Sequence, residues 1–155
     1  MREILFRGER TYNGEWVEGF AIFADNKAFI LNNAKVEFAK GFNENKLNFV
    51  LIEVIPETVG QYTGLTDKNG KKIFEGDIVE FSSKDYYGSS EKGKVIFSNG
   101  CFVIEYVIYD DITSFHRIGE VRKEIDMGAT HIITYQYEVI GNIHDNPELL
   151  KEGAE

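Results

Sequence analysis

Short apolar runs broken by polar residues and turn dipeptides dominate the chain, and their period is two over most of its length. Alternation of this kind places one set of side chains on each face of a pleated strand. Residues 94–97 and 101–106 (Lys94-Val95-Ile96-Phe97 and Cys101-Phe102-Val103-Ile104-Glu105-Tyr106) flank Asn99-Gly100. Both turn residues tolerate positive φ, so this segment predicts a tight β-hairpin. Asn13-Gly14 and Asn69-Gly70 mark further turns, and Asp25-Asn26 turns a strand over 15–23 into one over 28–31. Strands are also predicted over 3–7, 49–55 and 76–81. Pro56 ends the strand over 49–55 because it has no amide hydrogen to give a ladder.

Between residues 110 and 130 the period lengthens. Ile112, Phe115, Ile118 or Val121, and Ile125 recur every three or four positions, which predicts an amphipathic helix over 112–126 that contains Gly119. Strand character returns over 135–143. Asn146 as cap, Pro147 at the first helical position and Glu148 in the first turn predict a short C-terminal helix. The sequence displays no internal repeat and no low-complexity tract. The expected fold is mostly β and antiparallel. The expected organisation is an N-terminal β subdomain over 1–56, an SH3-like small β-barrel over 57–145 with an insertion near 107–134, and a helical tail over 146–155. The barrel expectation follows from element order: strand, polar loop, tight hairpin, closing strand.

Three segments carry a family resemblance. They are Phe6-Arg7-Gly8 leading to Glu15-Trp16-Val17-Glu18-Gly19; Ile55-Pro56-Glu57-Thr58-Val59-Gly60-Gln61-Tyr62-Thr63-Gly64-Leu65 through Gly76-Asp77-Ile78-Val79; and Tyr137-Glu138-Val139-Ile140-Gly141-Asn142-Ile143 with Asn146-Pro147-Glu148-Leu149-Leu150. Together they resemble the YopX family of phage and prophage proteins across nearly the whole chain. The least family-like stretch is 107–134. The resemblance implies a phage origin and a β-rich fold. It brings no catalytic residue, cofactor or partner with it.

Charge changes the picture of partners. The net charge is −9, from 26 acidic and 17 basic residues. Residues 1–60 carry 7 basic and 9 acidic groups, residues 61–100 carry 6 of each, and residues 101–155 carry 4 and 11. A phosphate-binding protein presents a basic face, so general nucleic-acid binding is disfavoured. The amino terminus lacks the apolar core of a signal peptide. No apolar run approaches the ~20 residues of a membrane span, and a single cysteine, Cys101, suits a reducing compartment. A soluble protein of the host cytoplasm is expected.

Candidate chemistry is sparse. Asp67-Lys68-Asn69-Gly70 opens like a calcium loop, but the twelfth position is Ile78 where a bidentate glutamate is required. His116, His131 and His144 lack ligand spacing, which predicts neither metal nor organic cofactor. Ser114 with His116 and Asp110 or Asp111 gives no attack geometry from local spacing alone. Cys101 starts an apolar strand and behaves there as a small hydrophobe. The candidate partner-binding residues are Tyr86 and Tyr87, side by side in the polar loop 82–90, and Trp16, the one tryptophan. The expected function is therefore that of a non-enzymatic phage or prophage accessory protein, a protein-binding or self-assembling β module. The alternatives are a nucleic-acid-linked regulator using aromatics with Lys68, Lys71, Lys72, Lys84, Lys92 and Lys94, and an acidic DNA mimic that inhibits a host protein.

Overall fold

The computed structural model describes residues 3–37, 46–83, 90–108, 112–126 and 129–151. Its strands are Phe6–Glu9 (β1), Trp16–Ala24 (β2), Lys27–Glu37 (β3), Lys46–Val54 (β4), Gly60–Thr66 (β5), Lys72–Phe74 (β6), Asp77–Ser83 (β7), Glu91–Ser98 (β8), Cys101–Ile108 (β9), Ile112–Arg117 (β10), Val121–Asp126 (β11) and Ala129–Asn142 (β12). They form two antiparallel sheets, ordered β4-β3-β2-β1-β5-β6 and β10-β9-β8-β7-β12-β11. The chain divides into unit 1, Met1–Tyr62, and unit 2, Thr63–Glu155. The division falls inside β5, whose first residues pair with β1 through Phe6↔Gln61 and Arg7↔Gly60.

The hairpin at Asn99-Gly100 forms as the alternation predicts, with Ser98 opposite Cys101 and Val95 opposite Ile104. Asp77–Ser83 joins the same sheet through Val79↔Gly93. The turn at Asp25-Asn26 also forms, with both residues at positive φ.

The predicted helix over 112–126 is replaced by two strands at opposite edges of one sheet, β10 on β9 and β11 on β12. Gly119 sits between them at φ 75°, a left-handed conformation that stops a right-handed helix. The three-to-four spacing of apolar residues was also compatible with two short strands broken at this glycine. The C-terminal helix reduces to a 3-10 turn, Pro147–Leu150, whose N-cap Asn146 makes no side-chain cap bond.

Nor do the sheets close into an SH3-like barrel: the pairing order is open, ending at β10 and β11. Curling takes the place of closure. Arg117 and Val121 are joined by three residues, a reach of at most about 14 Å. A flat six-stranded sheet would hold its outermost strands roughly 24 Å apart. The sheet therefore bends around Ile73, Val79, Phe81, Val95, Ile104 and Tyr137, its buried core. In unit 1 the curl wraps Val17, Ala28, Ile30 and Val54, and a bridge between Arg10 and Val54 joins the ends of β1 and β4.

The absence of repeats expected from the sequence is corrected by this topology. The order β4-β3-β2-β1-β5 in unit 1 matches β10-β9-β8-β7-β12 in unit 2. The hairpins β2–β3 and β8–β9 agree residue by residue. Phe20 faces Leu31 as Lys94 faces Glu105, and Ile22 faces Phe29 as Ile96 faces Val103. Their two-residue turns, Asp25-Asn26 and Asn99-Gly100, both lie at positive φ. A glycine occupies the same place in each. A Cβ on Gly19 would overlap the Leu31 carbonyl and Ile30 Cγ2, and one on Gly93 would overlap the Glu105 carbonyl and Ile104 Cγ2. Few identical side chains survive, so the repeat is carried by register, turn and glycine.

Because backbone on a neighbouring strand blocks both positions, Gly19→Ala and Gly93→Ala are each expected to cost roughly 1–3 kcal/mol. Urea denaturation measures this as a lowered midpoint for both variants, against no loss for Tyr12→Ala, at a position 94% exposed.

Candidate functional site

The segment from Asp67 to Asp77 is rich in polar residues, and the carboxylates of Asp67 and Asp77 are bound to backbone. Asp67 is buried, and its Oδ1 accepts from the amides of Asn69 at 2.8 Å and Lys71 at 2.9 Å. Its Oδ2 accepts from the Val139 amide at 3.1 Å, while the Lys68 amide donates to the Tyr137 carbonyl. One carboxylate thus closes the Asn69-Gly70 turn and fastens it to β12. Burial pushes the Asp67 carboxyl up, but the three amide bonds and the Lys71 charge outweigh it and hold it below the ordinary value. Asp77 is fully buried, with Oδ2 accepting from the Phe74 amide at 2.7 Å. The calcium-like opening of the sequence is a structural clasp, in which carboxylate oxygens stand where strand carbonyls would.

His116 lies in the curl of unit 2, buried against rings. It stacks on Phe81 at 5.0 Å and tilts against Tyr135 at 4.2 Å. Its Nε2 lies 3.1 Å from the Tyr137 hydroxyl, which also accepts from the Gly119 amide at 3.0 Å. Burial raises the Tyr137 hydroxyl above its ordinary value, partly offset by that amide bond. Ser114 and His116 share a face of β10, but directly alternate positions stand about 6.8 Å apart, and Nε2 faces Tyr137. Asp110 and Asp111 fall outside the described residues, as do Tyr86, Tyr87 and Lys84. Among the described residues, no group of three or more His, Cys, Asp or Glu is placed to hold a metal ion.

Trp16 is partly buried, with the Arg7 guanidinium 4.8 Å from its ring centre. It borders a more open surface. On the outer face of unit 1, Phe20, Leu31 and Leu51 form one row across β2, β3 and β4, and Ile22 and Phe29 begin the next. Phe20 is 56% exposed, Ile22 42% and Leu51 45%. The equivalent row in unit 2 is Lys94, Glu105 and Phe115, where Lys94 pairs with Glu105 at 2.6 Å. Val103, the counterpart of Phe29, is buried, and the turn Pro147–Leu150 lies against β8. Sequence inspection missed the unit 1 face because its apolar residues look like any alternating strand. The signal that finds it is alignment of the two hairpins, which sets Phe20 and Leu31 against Lys94 and Glu105.

Two lysines of unit 2, Lys68 and Lys94, form ion pairs. Lys68 pairs with Glu138 at 2.5 Å, which raises the lysine and lowers the glutamate from their ordinary values. Lys92 stands opposite Glu80, whose carboxylate also accepts from the Ser90 hydroxyl.

Comparison with known proteins places the chain. The family model described as YopX protein matches residues 5–151. The crystal structure of protein EF1440 from Enterococcus faecalis is similar over 97% of this chain and 99% of its own, at 25% identity and a TM-score of 0.58. No curated protein matches the chain.

The lowered Asp67 value fixes a pH dependence. Its contribution to stability is complete above the unfolded carboxyl value of about 3.9 and is lost as pH falls through the lower folded value. Acid denaturation followed by circular dichroism is expected to show this loss. Asp67→Asn is expected to be less stable at pH 7, by roughly 1–3 kcal/mol, and to give a flatter profile below pH 4.

Proposed function

The chain belongs to the YopX family, and from that premise we propose that it is a non-catalytic phage or prophage accessory protein acting by protein–protein association. The observation that carries this reading is the open apolar row Phe20, Leu31 and Leu51, where the same hairpin in unit 2 has an ion pair. The fold tolerates charge at the positions of Phe20 and Leu31, so those two apolar residues answer to something other than folding, while the counterpart of Leu51 is itself apolar, Phe115. The largest contiguous apolar patch on a soluble protein is often a functional one.

The buried titratable groups favour the same reading, since Asp67, Asp77 and His116 are engaged by backbone amides, a tyrosine hydroxyl and packed rings. A cytoplasmic setting belongs to this proposal; among the described residues no helix is long and apolar enough to cross a membrane.

Capture from lysogenic cells with tagged full-length chain tests the proposal. Protein recovered by the wild type, whether host, phage or another copy, is expected to be lost with Leu51→Lys and kept with Phe115→Ser, its counterpart in unit 2. Recovery indifferent to Leu51 would count against the face.

Duplex DNA is expected not to bind near physiological salt. Lys68 and Lys94 are paired with carboxylates, and the net charge of −9 opposes approach to phosphate. Titration of labelled duplex across salt concentrations checks this, and micromolar binding that weakens steeply with salt would contradict it.

A further inference from the structure

The chain contains three Asn-Gly pairs, Asn13-Gly14, Asn69-Gly70 and Asn99-Gly100, each in a turn with its glycine at positive φ. A glycine has no Cβ to shield its nitrogen, so that nitrogen can reach the side-chain amide of the asparagine before it. We propose that Asn99 is a modification site, the asparagine that deamidates spontaneously in the folded protein, and that hydrogen bonds protect Asn13 and Asn69 from the same reaction.

The chemistry needs only water. The Gly100 nitrogen forms a bond to Asn99 Cγ as the bond from Cγ to Nδ2 breaks, and the Gly100 amide proton leaves with Nδ2 as ammonia. Water then adds to one of the two carbonyls of the resulting succinimide and reopens the ring. Opening on one side gives aspartate. Opening on the other gives isoaspartate, whose backbone runs through the former side chain and is one carbon longer. Either product adds one negative charge to a chain already at −9.

Two conditions govern the first step: the glycine nitrogen must be free of an acceptor, and the asparagine amide must be free to swing onto it. Neither holds at Asn13, where the Gly14 amide donates to the Arg10 carbonyl at 3.0 Å and Asn13 Oδ1 accepts from the Glu15 amide at 3.2 Å. Neither holds at Asn69, where the Gly70 amide donates to the Asp67 carbonyl at 3.0 Å and Asn69 Nδ2 donates to Glu138 Oε1 at 3.4 Å. That turn is also fastened to β12 through Asp67 and the Val139 amide. At Asn99-Gly100 neither group is hydrogen-bonded among the described residues. Both residues are exposed, and a Cβ on Gly100 would meet nothing within 4 Å.

Lateral support stops short of this turn as well. Neighbouring segments reach the hairpin through the Gly76 amide on the Val95 carbonyl and the Ile118 amide on the Phe102 carbonyl. Beyond them only Ser98 opposite Cys101 closes the tip, and a tip held by so few bonds opens more readily than a fastened turn. Isoaspartate there puts an additional backbone atom into a two-residue turn that sets the pairing of Val95 with Ile104, both completely buried. Aspartate leaves the backbone unchanged and tolerates the left-handed conformation that Asn99 adopts at φ 50°.

Peptide mapping by mass spectrometry tests the site on the full wild-type chain, held folded at mildly alkaline pH and sampled over time. Each hydrogen bond broken before attack slows the reaction roughly three- to tenfold, so Asn99 is expected to react about tenfold faster than Asn13 or Asn69. Fragmentation that separates isoaspartate from aspartate is expected to find both at position 99. In concentrated urea, where the turns are gone, the three pairs are expected to react at similar rates. Asn13 or Asn69 keeping pace with Asn99 in the folded chain overturns the proposal, as does a lead of Asn99 that is as large in urea. An Asn99 that stays intact in the folded chain while it reacts in urea overturns it too. The isolated isoaspartate form is expected to unfold at lower urea than the Asn99→Asp variant, and equal midpoints would overturn the consequence drawn for the hairpin.

Discussion

Everything in this fold depends on how closely two neighbouring strands can approach at a glycine. At Gly19 and at Gly93 the space for a Cβ is taken by the facing carbonyl and by an isoleucine methyl two layers deep in the core. Loss of the side chain lets the hairpin coil tightly, and coiling lets a single sheet wrap its own core. Ile30 and Ile104, one residue before each facing carbonyl, are both completely buried as a result. A flatter hairpin would leave those residues against solvent and would hold β10 and β11 too far apart for their three-residue connection.

Shared geometry makes the differences between the units informative. Inside the curl, both use aliphatic residues, and unit 2 adds His116 and Tyr137, whose Nε2 and hydroxyl lie 3.1 Å apart, with the Gly119 amide donating to the same hydroxyl. Outside the curl they diverge. Unit 2 presents Lys94 and Glu105 as a 2.6 Å pair, and unit 1 presents Phe20 and Leu31. An exposed ion pair of this kind contributes little to stability, ~0–1 kcal/mol, and the row it begins continues into Phe115, 54% exposed.

Much of the strand pattern was legible in the sequence. Alternation around Asn99-Gly100 and the paired turn residues Asp25-Asn26 located both hairpins, because positive φ and period two leave compositional marks. Gly119 misled: its neighbours repeat at three to four positions, and only pairing with β9 and β12 decides that they are strands. Closure was misjudged for a related reason, since element order does not state whether edge strands meet or the sheet merely curls. The candidate site was less legible. Trp16 drew notice as a rare residue, yet it lies under Arg7, while Phe20 and Leu51 resembled core positions. The duplication stayed hidden because Gly19 with Gly93, Ile22 with Ile96, Phe23 with Phe97 and Ile30 with Ile104 are its main identities within a hairpin whose other positions differ.

Photo-crosslinking in lysogenic cells, from a benzophenone side chain placed at position 20 or at position 115 of the full chain, tests the proposed protein-binding face most directly. The proposal predicts discrete protein adducts from position 20 and none from position 115, both of which are more than half exposed. Adducts from position 115 alone, or from neither, would contradict it.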